Sequence, residues 1–419
     1  MKISKYFTTS SITEGFLVAL LGSGFIYLDW WEVSNIVVES ILSLSFIYLL
    51  LRARFTVWFW SGFFISILWF WWIGISFGHY GMAWIAPIAV VAIGLLYGTI
   101  FYLLAVSIEK ISTLYSSQLL RLLLRSIILL LLSYIHPFGF DWFKPELTMV
   151  HTFFGIQKWQ FTIILLSISL VIYSRKVIYL MIVLLAYSPY QTVIEYGSKY
   201  GEIALTSTHT TVEDKWNPKL VLSHINSTLT LIERAIAQKR STIILPESVF
   251  PFFLNIETNI LEKIKELSKQ IDIVIGALYL DGDIHRNSTY IFQDGNYTIA
   301  NKVVLVPFGE SNPLPKWAGR WVNDIFFDGA IDYIGSSTPT DYTIDGVKYR
   351  NAICYEATSQ KLYEDNPSHM IVLSNNGWFT PSSEPTLQRL LLEYYATIHH
   401  TEILHSTNMS RAYRISVGE

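Results

Sequence analysis

The chain has 419 residues, enough for two domains, and 52% of them are hydrophobic while 15% are charged. This composition is typical of membrane proteins, and the long apolar runs are confined to residues 1–190. The net charge of -3, without a basic stripe, argues against a nucleic-acid partner.

Residues 1–190 are predicted to form a transmembrane helical bundle of about seven spans. A span needs about 20 apolar residues, within a range of about 17–25. The apolar segments lie near 13–29, 34–51, 56–76, 82–107, 118–135, 160–174 and 176–190. The last two are short, and they form either a tight hairpin of two spans or one broken element. The first has no small-residue cleavage site and is predicted to be retained.

Basic residues mark alternate ends of these segments and thereby predict the orientation. They are Lys2, Lys5, Arg52, Arg54, Lys110, Arg121, Arg125, Arg175 and Lys176. The intervening loops 29–33 and 77–81 have none. Because Lys and Arg favour the cytoplasmic side, the N-terminus is expected there and residues 191–419 on the opposite face.

Aromatic residues are concentrated near the predicted span ends, where tryptophan suits the membrane interface. The tryptophans are Trp30, Trp31, Trp58, Trp60, Trp69, Trp71 and Trp72. The polar and aromatic loop 136–142 either helps to shape a route for lipid or serves as an anchor.

Residues 191–419 read as a globular domain in which strands and helices alternate, which predicts a layered α/β architecture. Strands are predicted at 203–207, 242–245, 271–278, 348–353 and 370–373, and a hairpin at 287–302. Helices are predicted at 217–238, 257–269 and 384–399. Polar residues follow several strand ends, where open α/β sheets place their sites.

Three reactive side chains stand in this domain beside apolar strands: Glu247, Lys302 and Cys354. A thiol must lose its proton to become a nucleophile, and a carboxylate can accept that proton. An ammonium lowers the pKa of the thiol and stabilises the oxyanion of a tetrahedral intermediate. Cys354 is the only cysteine, and alone it would more often be a buried apolar residue. The combination with Glu247 and Lys302 instead predicts acyl transfer.

The flanking residues resemble the nitrilase superfamily, and the preceding spans narrow the resemblance to apolipoprotein N-acyltransferases. The motifs that carry it are Pro-Glu247, Val-Pro-Phe-Gly-Glu310, Cys354-Tyr-Glu356 and Ser-Asn375-Asn-Gly-Trp378-Phe. The resemblance implies an αββα sandwich for residues 191–419 and a catalytic triad of Glu247, Lys302 and Cys354. Known members end with further strands and a last transmembrane helix, so the sequence is either that of a short subtype or trimmed at its end, and the final strands of the sheet stay open.

The resemblance assigns supporting positions to Glu310, Tyr355 and Glu356, which either orient the triad or only support loops. Its loop tryptophan falls on Trp216, which contacts substrate or packs. Asn375 and Trp378 are expected to shape the pocket wall. The apolar segment 249–254, with Phe252 and Phe253, forms either a lid that dips into lipid together with Trp317 and Trp321, or core.

The reaction implied by the resemblance moves an acyl chain from a membrane phospholipid, through a thioester on Cys354, to the amine of a diacylglyceryl-cysteine on an apolipoprotein. This places the chain in a bacterial inner membrane with its catalytic domain in the periplasm, and it requires no metal or other cofactor. One alternative is a membrane-anchored nitrilase-type amidase acting on a soluble amide, which the triad alone does not separate. A transporter is disfavoured because ionisable residues are scarce within the spans, and a catalytically dead binding domain because the triad is intact.

Overall fold

The computed structural model describes residues 8–189, 192–197, 199–314 and 332–418. Trp317 and Trp321, predicted above to take part in a lid, lie outside these residues. Within the described ranges the chain forms a helical bundle followed by a mixed α/β sandwich, which confirms the predicted fold class.

The bundle consists of apolar helices of unequal length. They are α1 (Thr9–Trp30), α2 (Ile36–Arg52), α3 (Phe55–Phe70), α4 (Ile73–His79), α5 (Ala86–Leu114), α6 (Gln118–Leu131), α7 (Lys158–Ser174) and a 3-10 helix, Val177–Ala186. Polar caps define several starts: the Asn35 side chain, for example, accepts hydrogen bonds from the N–H groups of Val37 and Val38.

Each of the seven predicted apolar segments overlaps at least one of these helices. By length and hydropathy, two stretches among the described residues can cross a membrane, α1 and Ala83–Leu114. The pair α3 and α4, bent by 47°, is a third candidate. The remaining helices are shorter, and the number of seven spans therefore stays a prediction.

One end of the bundle faces the α/β domain. His79, the last residue of α4, contacts Glu213, and Asp141, after α6, contacts Tyr355. Ser167 on α7 donates to the carbonyl of Tyr179 at 2.8 Å, so the 3-10 helix runs back along α7 toward that same end. Alternation of helix direction leaves the basic ends near residues 52–54 and 175–176 away from the α/β domain, as the sequence predicts.

The tryptophan prediction requires a correction. Trp58, Trp69 and Trp72 are buried inside the protein, with exposures of 0%, 1% and 3%. Their indole N–H groups find buried acceptors: Trp58 donates to the carbonyl of Leu50 and Trp69 to the hydroxyl of Ser23. These rings fill the bundle, because a buried indole with a satisfied donor stabilises a core. Trp30 and Trp31 are exposed and fit the predicted interface.

Two seven-stranded sheets face each other in the α/β domain. The first has the order β1 (Thr192–Tyr196), β14 (Tyr413–Val417), β13 (Glu402–Asn408), β12 (His369–Asn375), β11 (Val347–Ile353), β10 (Asp341–Ile344), with β4 (Ser207–Thr208) beside β13. The second has the order β2 (Lys199–Tyr200), β3 (Ile203–Leu205), β5 (Thr242–Ile244), β7 (Asp272–Asp281), β8 (Ile284–Gln293), β9 (Asn296–Asn301), with β6 (Phe250–Phe253) beside β7.

Helices cover the outer faces of both sheets. Helices α9 (Val221–Ala237) and α10 (Thr258–Leu267) pack on the second sheet. Helix α11 (Glu384–His399) packs on the first sheet and is continuous with the core of the membrane bundle. The short helix α8 (Val212–Lys215) lies before α9. The resulting α–β–β–α layering buries apolar side chains such as Ile244 and Leu373 between the sheets.

Candidate active site

The carboxyl ends of parallel strands assemble the site. Strands β11, β12 and β13 run parallel, and so do β3, β5 and β7. Cys354 follows β11 directly, Asn375 ends β12, and Asn408 ends β13. Glu247 comes shortly after β5 in the facing sheet. Polar side chains from both sheets therefore meet at one edge of the sandwich, as the strand-end pattern predicts.

Glu247 is buried and held by directed hydrogen bonds. One oxygen accepts from the Asn287 amide at 2.8 Å, and the other accepts from the Asn375 backbone N–H at 2.8 Å. Strand β7 passes directly beneath it at Gly276, where a Cβ atom would lie 2.6 Å from the Glu247 Cα. Only glycine permits this close approach.

Lys302 lies between two carboxylates. Its Nζ is 2.8 Å from Glu310 Oε2 and 3.7 Å from Glu247 Oε1. Burial alone would lower the pKa of Lys302, but Glu310 and Glu247 raise it above its ordinary value. Asn287 bridges the same two carboxylates, since its amide also donates to Glu310 at 2.8 Å. The two carboxylates therefore hold the ammonium in place and favour its charged form.

Cys354 occupies a sharp turn at the end of β11, with a positive φ of 53°. Such a conformation is strained for a residue other than glycine and is found at functional sites. Burial raises the pKa of its thiol well above the ordinary value; Glu247 raises it further and Lys302 opposes both. The resting group is consequently the neutral thiol.

Glu356 fastens the loops on either side of the site. Its carboxylate accepts from the backbone N–H groups of Val303 at 2.6 Å, Val304 at 3.0 Å and Ile353 at 2.8 Å. Burial raises its pKa to about 7, opposed by Lys302 and by these three donors. The segment after Lys302 is thereby joined to the strand before Cys354.

Tyr355 fastens the cysteine loop to the membrane bundle. Its hydroxyl donates to Asp141 Oδ1 at 3.2 Å and accepts from the Asp141 backbone N–H at 3.3 Å. The rings of Phe140 and Trp142 stack near it, and the Trp142 indole donates to Thr358 at 2.7 Å. Loop 136–142 therefore joins the cysteine turn to the bundle, and a role in a route for lipid stays a prediction.

The five residues predicted to contact substrate lie on different elements of the structure. Trp216 is half-exposed, while Trp378 stacks on Tyr80 with ring centroids 5.7 Å apart. Asn375 supports Glu247 and accepts from Asn408 at 2.8 Å. Phe252 and Phe253 lie in strand β6, and both are partly buried.

The apolar segment after Glu247 is a strand rather than a free loop. Phe250 and Leu254 are fully buried in the core under α9 and α10, so for them the core alternative is the correct one. Phe252 stacks on Phe250, with centroids 5.4 Å apart, and Phe253 lies 4.8 Å from the His285 ring. A lipid-contacting role stays a prediction for Phe252 and Phe253 only.

Sequence reasoning missed several buried groups around Cys354. The Gln388 amide lies 3.8 Å from the Cys354 sulfur and 3.4 Å from the Ser374 hydroxyl, which contacts His405 at 2.7 Å. One turn earlier on α11, burial raises the pKa of Glu384 to about 8, and Glu247 adds to the shift. The signal for Gln388 was its place on the apolar face of a correctly predicted helix.

Comparison with known proteins identifies the family. A sequence profile described as the apolipoprotein N-acyltransferase integral membrane domain matches residues 9–191. The apolipoprotein N-acyltransferase of Wolinella succinogenes is 40% identical over 408 residues, covering 96% of this chain and 95% of the relative. The chain belongs to the apolipoprotein N-acyltransferase family.

Two further members of this family are similar over most of their length. The apolipoprotein N-acyltransferase of Campylobacter jejuni is 34% identical and covers 97% of this chain and 90% of the relative. That of Helicobacter pylori is 35% identical and covers 85% and 82%. The predicted membrane-bound acyltransferase is thereby confirmed, and the alternative of an amidase for soluble amides is not favoured.

Solved structures show weaker likeness. An amidase from Nesterenkonia sp. is 10% identical, with a TM-score of 0.37, over 52% of this chain and 88% of the amidase. The glutamine-dependent NAD+ synthetase from Acinetobacter baumannii is 16% identical, with a TM-score of 0.38, over 53% of this chain and 40% of the synthetase.

Proposed function

We propose that the chain transfers an acyl group from a membrane phospholipid to the N-terminal diacylglyceryl-cysteine of an apolipoprotein, through a thioester on Cys354. The observation that supports the mechanism is the placement of the Cys354 thiol beside the buried Glu247 carboxylate and the buried Lys302 ammonium, both of which act on its pKa. Membership of the family supports both lipid-linked substrates. No cofactor enters the proposal.

In the first half-reaction Glu247 takes the thiol proton, because the raised pKa of Cys354 leaves little free thiolate. The sulfur attacks the ester carbonyl carbon of the phospholipid. Lys302 and the backbone N–H of Tyr355 stabilise the oxyanion. Collapse of the tetrahedral intermediate breaks the ester C–O bond, and Glu247 returns the proton to the departing lysophospholipid.

In the second half-reaction the α-amine of the diacylglyceryl-cysteine attacks the thioester. Glu247 accepts a proton from the amine, the C–S bond breaks beside Lys302, and Glu247 returns the proton to the departing sulfur, which restores the thiol and the carboxylate. Glu310, Tyr355 and Glu356 hold the triad in position through the contacts described above. Trp216, Asn375, Trp378, Phe252 and Phe253 are assigned to the substrate-facing wall.

The function is tested by supplying both substrates to the purified full-length protein. Vesicles of phosphatidylglycerol and a synthetic diacylglyceryl-cysteine peptide are incubated with it, and the peptide is analysed by mass spectrometry. We expect the peptide to gain one acyl group and the vesicles to gain lysophospholipid in equal amount. Lysophospholipid with free fatty acid, and an unmodified peptide, would instead identify a hydrolase.

We also propose a location: a bacterial inner membrane, with a bundle at 1–190 and a periplasmic catalytic domain at 191–419. The basic ends of the bundle and the opposite placement of the α/β domain support it. An alkaline phosphatase fusion after Ser188 is expected to be active and a fusion after Arg175 inactive. The reverse pattern would place the catalytic domain in the cytoplasm.

A further inference from the structure

Lys215 is a buried cation outside the triad. It ends helix α8 and is 4% exposed, although lysines are rarely buried without a counter-charge. Its helix neighbour Glu213 instead contacts His79 at 2.9 Å. Among the ion pairs and side-chain hydrogen bonds within the described ranges, none involves the Lys215 ammonium.

A chain of hydrogen bonds places α8 next to the catalytic base. The backbone N–H of Thr210 donates to Asn408 at 3.0 Å, and the Asn408 amide donates to Asn375 at 2.8 Å. The Asn375 backbone N–H in turn donates to Glu247 at 2.8 Å. Helix α8 begins two residues after Thr210, so Lys215 lies within about one helical turn of this tether.

The charge that acts on the Lys215 ammonium is Glu247, with which it forms no ion pair. Burial lowers the pKa of Lys215 to about 8, and Glu247 only partly opposes the shift. Buried Lys215 is therefore close enough to Glu247 for the two charges to interact, while Glu213 of its own helix is engaged by His79.

We propose that Lys215 forms a subsite for the phosphate group of the acyl donor. This rests on the proposed function, in which the scissile ester lies at Cys354. In a phospholipid the nearest anion to that ester is the phosphodiester, a short glycerol linkage away. An ammonium binds phosphate as a compact point charge, and a bound phosphate supplies the counter-charge that buried Lys215 lacks. Trp216, the next residue, is half-exposed beside the same position.

The test compares lipids with and without the phosphate. Thioester formation on Cys354 is measured by mass spectrometry with vesicles containing phosphatidylglycerol or diacylglycerol as the donor, and with p-nitrophenyl butyrate. The variant is Lys215→Met, and the matched control is the exposed Lys219→Met. We expect Lys215→Met to slow acylation by phosphatidylglycerol about 10- to 100-fold, the range for a hydrogen-bonded charge. The diacylglycerol and nitrophenyl reactions should change less than about twofold.

Removing the phosphate from the donor and removing the ammonium from the enzyme should slow thioester formation to the same extent. The two changes together should slow it no further than either one alone. Equal losses with all three donors would overturn the subsite and assign Lys215 to the chemistry of Glu247. Unchanged acylation by phosphatidylglycerol would also overturn it. Failure of the proposed function is distinguishable, because the wild-type protein would then form no thioester with either lipid.

Discussion

Cys354→Ala is expected to abolish acyl transfer, by about 10⁴-fold or more, because it removes the nucleophile on which both half-reactions depend. The chain has no other cysteine that could take over. The measurement is the rate of peptide acylation from phosphatidylglycerol vesicles, together with the mass of the intact protein after incubation with donor alone.

The fold of this variant should be preserved, because the contacts of Tyr355 and Glu356 on either side of the turn do not involve the sulfur. An unchanged melting temperature in detergent provides the control. Transfer clearly above background in a properly folded Cys354→Ala protein would remove the thioester mechanism.

Glu247→Gln is expected to slow thioester formation by about 10²–10⁴-fold, since an amide cannot accept the thiol proton. The same change should make the sulfur easier to ionise. The carboxylate of Glu247 raises the pKa of Cys354 by charge repulsion, so its removal lowers that pKa and shifts the onset of thiolate formation to lower pH.

In Glu247→Gln, acylation of Cys354 should therefore become slower, while its alkylation should become easier. Acylation by phosphatidylglycerol falls, while alkylation of Cys354 by iodoacetamide begins at a lower pH than in the wild type. A structural disturbance alone would not produce this pair of results. Unchanged single-turnover acylation would show that Glu247 is not the base, and thermal unfolding would monitor the bonds to Asn287 and Asn375.

Much of the sandwich was predictable because periodicity reports which face of an element is buried. Helix 384–399 was predicted with the bounds that the structure has, and helices 217–238 and 257–269 with errors of a few residues. The predicted hairpin at 287–302 is the pair β8 and β9. No strand was predicted after residue 400, where the structure has β13 and β14.

Other elements were missed because their pairing depends on distant parts of the chain. Strand β1 pairs with β14 more than two hundred residues later, and β6 contains Pro251 and reads as a loop. In the bundle, tryptophans at predicted interfaces proved to be core because helix packing, rather than position along a span, decided their exposure.

In the candidate site, motifs indicated Glu247, Lys302 and Cys354, which the structure brings together, but not the residues that hold them. The catalytic roles of the three stay a proposal. Asn287 and Asn408 are polar residues in strands, with no motif around them. Asn287 donates to the two carboxylates beside Lys302, and Asn408 donates to Asn375, which holds Glu247. Gln388 gave one local signal, its place on the apolar face of a predicted helix. Its partners, like those of Asn287 and Asn408, follow from tertiary geometry and cannot be read from a single sequence.

The contact between Tyr355 and the loop after α6 means that both halves of the protein hold the turn at Cys354 in place. A catalytic half cut free by a protease would lose the wall against which Tyr355 rests, even though every triad residue remained on the fragment. The proposed acyl transfer would then depend on an intact bundle as well as on the three reactive side chains.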